Sequence, residues 1–159
     1  MAKKFASIAR IEAKYKKAAR DALLNKIRPR VKEALQKNID STVYSNPESD
    51  WYVRSYAMRT SVEGYITADN DMETVMSIFP DPKKMVGFYI QDYAKYGSIA
   101  SPNRNDNRDM IVEWLNEGTS GSPIYNHKGH HFMDKTFDET NKIVKEELAK
   151  AFKKVNNQK

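Results

Sequence analysis

Apolar residues recur at helical spacing from about Lys3 to Asn38, with Ile8, Ile11, Tyr15, Ala18, Ala22 and Leu23 on one side, then Ile27, Val31, Ala34 and Leu35. A helix over this stretch would run about 50 Å at 1.5 Å per residue. Pro29 falls inside it. Its ring removes an N–H and crowds the preceding turn, so a kink or a break is expected near Arg28, giving one bent helix or two. Asn46-Pro47-Glu48-Ser49-Asp50 is a turn-rich loop. Trp51 to Ile66 mixes aromatic and β-branched residues and predicts mixed structure, strand in part, with Arg54 to Arg59 able to coil as a short helix. After the turn signal Asp69-Asn70-Asp71, Met72 to Phe79 alternates Met72, Thr74, Met76 and Ile78 against Glu73, Val75, Ser77 and Phe79. This period of two predicts a strand that stops at Pro80-Asp81-Pro82.

Met85, Phe88, Tyr89, Asp92, Tyr93 and Tyr96 return to helix-like steps, and Gly97 through Asn107 is a long polar loop of the kind that contacts partners. Asp109 to Leu115 is an apolar-rich run too short for pattern alone to divide helix from strand, and it ends in a polar turn holding Gly118 and Gly121. Thr136-Phe137-Asp138-Glu139 has the spacing of a capping box, so a helix is expected to begin between Asp134 and Thr136. From there Phe137, Val144, Leu148, Ala151 or Phe152, and Val155 line one face, opposite Lys142, Lys145, Glu146, Lys150, Lys153 and Lys154. Such a helix needs an apolar partner. The expected fold is α+β: a long, kinked N-terminal helix, a small antiparallel sheet, and a C-terminal amphipathic helix packed on the sheet. One domain spans 1–159, divided into a basic N-terminal helix (1–38), a region of sheet, loops and a short helix (39–133), and the C-terminal helix (134–156).

Charge adds a direction to this outline. The net +6 of the 159 residues is unevenly spread: 1–37 carry +9, 38–94 carry −5, and the remainder +2. Complementary potentials of this kind steer association, so a basic helix of one copy against an acidic flank of the next is favoured. Contact with DNA is equally permitted. With no cysteine, disulfides, thiolate metal sites and cysteine nucleophiles drop out. No apolar stretch approaches the ~18 residues of a membrane span, and Met1-Ala2-Lys3-Lys4 has no apolar signal region, so a soluble protein made in the cytosol is expected.

The order of elements resembles the head-to-tail joining, or tail-completion, family of tailed bacteriophages. Val112-Glu113-Trp114 followed by Glu117-Gly118-Thr119 stands for that family's aromatic and Gly-Thr motif, Phe132-Met133 for its entry into the last helix, and Tyr52-Val53-Arg54-Ser55 with Arg59-Thr60 for its Arg-rich segment. In this chain Leu115-Asn116-Glu117 stands between the aromatic and the Gly-Thr pair, and His131 occupies the place of the usual proline. The resemblance implies a structural virion protein at the neck or tail, assembled as a homo-oligomeric ring beside other neck, connector or tail proteins, with genomic DNA passing through.

Candidate chemistry is sparse. His127, His130 and His131 cluster in one loop, but no later histidine completes a ββα-metal nuclease site, and a zinc site would need a carboxylate such as Asp134 as well. No Gly-rich phosphate loop, metalloprotease helix or nucleophile elbow is present. A non-enzymatic protein without cofactor or metal is therefore expected. Trp114 and Phe132 are the expected interface anchors, Gly118 sets the turn between them, and Lys14, Lys17 and Arg20 face a neighbour from the basic helix. Arg10, Arg28 and Arg30 are the candidates for DNA contact, which carries the alternative reading of a small basic nucleic-acid-binding protein.

Overall fold

The structure, a computed structural model, describes residues 2–45, 57–70, 73–84, 108–119 and 127–157. The N-terminal pattern folds as one continuous helical rod: α1 (Ala2–Ala22), a π-helical turn (Leu23–Ile27) and α2 (Arg28–Thr42). Pro29 does not break it. The proline ring crowds the carbonyl four residues back and offers it no N–H. The wider turn immediately upstream, closed by the Arg28 N–H donating to the Leu23 carbonyl, takes up that mismatch. Helix then continues a turn beyond the expected end at Asn38.

A single helical turn, α3 (Ala57–Thr60), leads into β1 (Val62–Asp69), which pairs antiparallel with β2 (Thr74–Pro80). The strand expected from Met72 starts at Thr74, and Pro80 is its last residue, opposite Val62. At the hairpin tip the Asn70 side chain accepts from the Glu73 N–H at 3.0 Å. A bulge between Ile66 and Ala68 shifts the register, so the alternation along β1 changes partner face at that point. Gly64 lies where a Cβ would come within 3.1 Å of the Arg28 side chain, and this lets the hairpin lie close along α2.

The ambiguous apolar run is helical, α4 (Arg108–Glu117), followed by a two-residue strand, β3 (Gly118–Thr119), paired with β4 (His127–Lys128). The expected helix from Met85 to Tyr96 and the polar loop up to Asn107 lie outside the described residues, as do Trp51 to Tyr56. The last helix, α5 (Phe132–Asn156), starts two residues earlier than the capping-box spacing predicted. Thr136 is inside the helix: its hydroxyl donates to the Phe132 carbonyl at 2.7 Å and caps nothing.

The fold class is α+β, with α5 antiparallel to the N-terminal rod and sharing two apolar clusters with it and with the sheet. In one, Phe132 is enclosed with Leu35, Ile39, Met58 and Val62, and Ile78, Val112 and Leu115 close over them. In the other, Ile143 packs with Ala22, Ile27, Val31 and Ala34, joined by Val144, Leu148 and again Ile78. Burial of this kind stabilises by roughly 25 cal/mol per Å² of apolar surface, so these two clusters, rather than helix propensity, hold the elements together. The expected apolar face of α5 is rotated in one respect. Phe137 points to solvent, and Thr136 and Ile143 take the buried positions.

Candidate assembly surface

Of the motif residues quoted for the tail-completion resemblance, the 112–119 stretch and Phe132-Met133 meet at one junction, where α4 ends and α5 begins, whereas Arg59-Thr60 close α3 and residues 52–55 lie outside the described residues. Asn116, buried at the end of α4, accepts from the Met133 N–H through Oδ1 at 2.9 Å, and its backbone carbonyl accepts from the His131 N–H at 3.0 Å. The Leu115 carbonyl takes the His130 N–H at the same distance. Asn116 thus caps α5 from another element, satisfying one of the orphan N–H groups that a helix start leaves open. His131, the residue before the helix, sits at φ 49° in the left-handed region and gives no side-chain cap. Proline, fixed near φ −65°, cannot adopt that conformation, so the entry to this helix differs in geometry from one that begins with proline.

Two glycines are required here. Gly118 has φ 92°, which L side chains rarely adopt, and a Cβ on Gly129 would lie 2.4 Å from the Asn116 carbonyl oxygen. Phe132 is fully enclosed in the chain's own core and presents no surface to a neighbour, so it anchors the fold and not a subunit contact. Trp114 lies on α4, with its side chain outside the described residues. His131 Nδ1 approaches Asp134 at 3.4 Å, and among the described residues no three His, Asp or Glu side chains are grouped to hold a metal.

The basic candidates divide into two sets. Arg20 pairs with Asp69 across to the hairpin. Arg30 bridges Glu146 at 3.0 Å and Glu147 at 2.6 Å, and Lys150 closes the same cluster from the next turn of α5. Lys150 first, then Arg30, holds the Glu146 and Glu147 carboxyls below the usual glutamate range, and Glu146 raises Arg30 in return. On the hairpin, Lys84 and then Lys32 lower Glu63. The Tyr65 hydroxyl, bonded to Asp81, lowers that carboxyl. Arg28 lies along Gly64 with its alkyl stem.

Arg10, Lys14 and Lys17 form the second set. They are exposed and at i, i+4, i+7 spacing share one face of α1. No ion pair engages them among the described residues. Their helix also outreaches its partner: α5 ends at Asn156, where Tyr15 bonds the Asn156 side chain and its ring meets Phe152 edge-on at 5.3 Å. Ala2–Lys14 therefore projects past the end of α5 by about 20 Å at 1.5 Å rise per residue. Ile8 and Ile11, expected on the packed side with Tyr15, are more than half exposed along that arm.

A family model, YomN, matches residues 7–157. The chain belongs to the YomN family. This is a phage-derived family of proteins, and it sets the chain among phage proteins without specifying a head-tail joint. No curated protein and no solved structure matches the chain. The match begins inside the projecting arm, at residue 7, and runs through the last turn of α5, so it spans both apolar clusters.

Proposed function

We propose that this YomN-family protein is a structural subunit of a tailed-phage particle, acting at the neck or tail-completion layer as one member of a ring. The observation that carries the reading is the projecting arm of α1. Ile8 and Ile11 are more than half exposed on it, whereas the equivalent positions further along the rod pack against α5. An apolar row left open beside a closed core is what a subunit contact requires. The chemistry suits assembly, since the junction around Asn116 uses its polar groups to cap a helix and the charged cluster around Arg30 ties two helices together. No catalytic step, cofactor or metal enters this function. Its partners are further copies of the chain and neighbouring neck or tail proteins, and its place is the virion.

A second reading, direct DNA contact, is favoured by the row Arg10, Lys14 and Lys17, which no ion pair engages among the described residues, because phosphate neutralisation needs cations that are not already paired. Light scattering and negative-stain imaging at low and moderate salt, with a duplex titration alongside, separate the two. Rings whose formation does not need DNA support assembly. A monomer whose DNA affinity falls steeply with salt supports the alternative. Gold-labelled antibody on intact particles supplies the independent test: label at the collar is expected, and its absence there removes the neck assignment.

A further inference from the structure

The projecting arm has a counterpart at the far end of the same molecule. On the solvent face of α5, Phe137 is 67% exposed, with Asp134 three residues before it and Asn141 four after it on the same face, and Asp138 exposed next to it. Asp138 makes no ion pair among the described residues, and Asp134 meets only His131. The arm is basic instead: Ile8 is 56% and Ile11 53% exposed, Lys14 stands three residues on from Ile11, Arg10 is on the adjoining face, and Glu12, four residues on from Ile8, is engaged by Lys16. The buried hydrogen bond from Asn38 to Thr136 fixes the Phe137 patch at the α2 end of the rod. About 40 Å of helix, at 1.5 Å per residue, separates it from Ile11, so one molecule cannot close the two upon each other.

We infer that the Ile8–Ile11 row of one copy docks on the Phe137 patch of a second copy, a head-to-tail contact between opposite ends of the helical rod. The inference rests on the ring reading above and supplies its interface. Charge chooses the pairing. Arm against arm sets Arg10 and Lys14 against the same residues, and patch against patch sets Asp134 and Asp138 against themselves, whereas arm against patch matches opposite signs around an apolar centre. A contact between two different surfaces is heterologous, so repeated addition closes into a ring or extends as a filament and does not stop at a dimer.

The absence of cysteine makes the test direct. Full-length I11C and F137C proteins are prepared separately, mixed under mild oxidation, and resolved on a non-reducing gel beside each variant alone. Both positions are exposed, so folding is preserved and is checked by circular dichroism. The mixture is expected to give the mixed disulfide well above its statistical share, and excess wild-type chain should suppress it severalfold. Homodimers of I11C alone, or a statistical mixture, overturn the inference.

Particle size then distinguishes this contact from the assembly reading itself. Wild-type oligomers that disappear in both I11D and F137K, and return only as a two-chain species when those variants are mixed, support the docking. Wild-type oligomers that persist in both variants overturn the contact and leave the ring standing. A wild-type chain that stays monomeric and gives no preferred cross-link overturns both.

Discussion

Asn38 and Thr136, 98 positions apart in sequence, meet through a buried hydrogen bond in which the Asn38 amide donates to the Thr136 hydroxyl at 3.1 Å. The same hydroxyl donates to the Phe132 carbonyl at 2.7 Å, so one side chain ties α2 to the first turn of α5. Thr136→Val keeps the shape and leaves the Asn38 amide buried without an acceptor, which should cost about 1–3 kcal/mol. Asn38→Leu with Thr136→Val removes both polar partners and should cost less than the two single changes added together. Urea denaturation of the four proteins checks this; additive losses would mean that the two groups do not interact.

Asn116 is the second long-range polar contact that a packed helix depends on. Its Oδ1 accepts the Met133 N–H, a role an aspartate can fill and an alanine cannot. Asn116→Ala should therefore lose about 0.5–2 kcal/mol, the usual worth of a cap, and Asn116→Asp should keep the cap at Met133 while losing the amide that donates to Glu117. Amide exchange across Phe132 to Thr136 reports the local effect. Equal protection in all three proteins would refute the capping role.

Backbone geometry at the same junction gives a graded series. His131→Pro demands a φ that the site does not have and deletes the N–H given to the Asn116 carbonyl, so a loss of ~3 kcal/mol or more is expected. His131→Asn should be tolerated, since asparagine visits the left-handed region readily. Gly129→Ala would press a methyl into backbone atoms of Asn116 and Glu117 and should cost ~1–3 kcal/mol, whereas Gly64→Ala meets only the movable Arg28 side chain and should cost less. Gly118→Val, at φ 92°, should lower both stability and ring yield. Thermal melts and light scattering on the set test the order; an undisturbed Gly129→Ala protein would contradict it.

Acid should weaken the protein through named carboxylates. Glu146 and Glu147, lowered chiefly by Lys150 and then by Arg30, and Glu63, lowered by Lys84 and then Lys32, have folded values beneath the ordinary 4.5. A depressed carboxyl contributes stability that is fully present above the unfolded value and is lost as pH falls through the folded one. The urea midpoint should therefore not fall on account of these groups well above pH 4.5, and should decline below it. Lys150→Met removes the leading cause for two of the three, so the carboxyl resonances of Glu146 and Glu147 should titrate at higher pH. Unchanged titration in that variant would exclude Lys150 as the cause. Because these groups lie at the surface, added salt should shrink the effect.

Hydropathy alone made much of the fold legible. The period of three to four over Lys3 to Asn38 and over α5, and the period of two in β2, survive in the structure because each element has one face to bury and the spacing records which. The residues misread are those whose environment comes from elsewhere in the chain. Phe137 fits the helical pattern as well as Ile143 does, yet only Ile143 meets Ala22 and Val31. Thr136 and Glu139 have capping spacing, but the cap comes from Asn116, and no local rule pairs a residue with a partner across a loop. Ile8 and Ile11 look identical in kind to Ile27 and Val31, and their exposure follows only from α5 ending beside Tyr15. Arg10, Arg28 and Arg30 are alike as cations in the sequence; tertiary packing engages Arg30 with Glu146 and Glu147 and, among the described residues, gives Arg10 no ion pair.

The amino-acid order by itself determined the α+β class, the long basic helix, the second strand of the hairpin with the turn before it, and the lack of cysteine, since periodicity, turn residues and composition act within a few residues of one another. Tertiary structure decided where the proline strain was absorbed, which histidine adopts a positive φ, and which apolar row remains uncovered. Those outcomes depend on the relative lengths and alignment of α1, α2 and α5, and burial is a property of the pair of surfaces that meet.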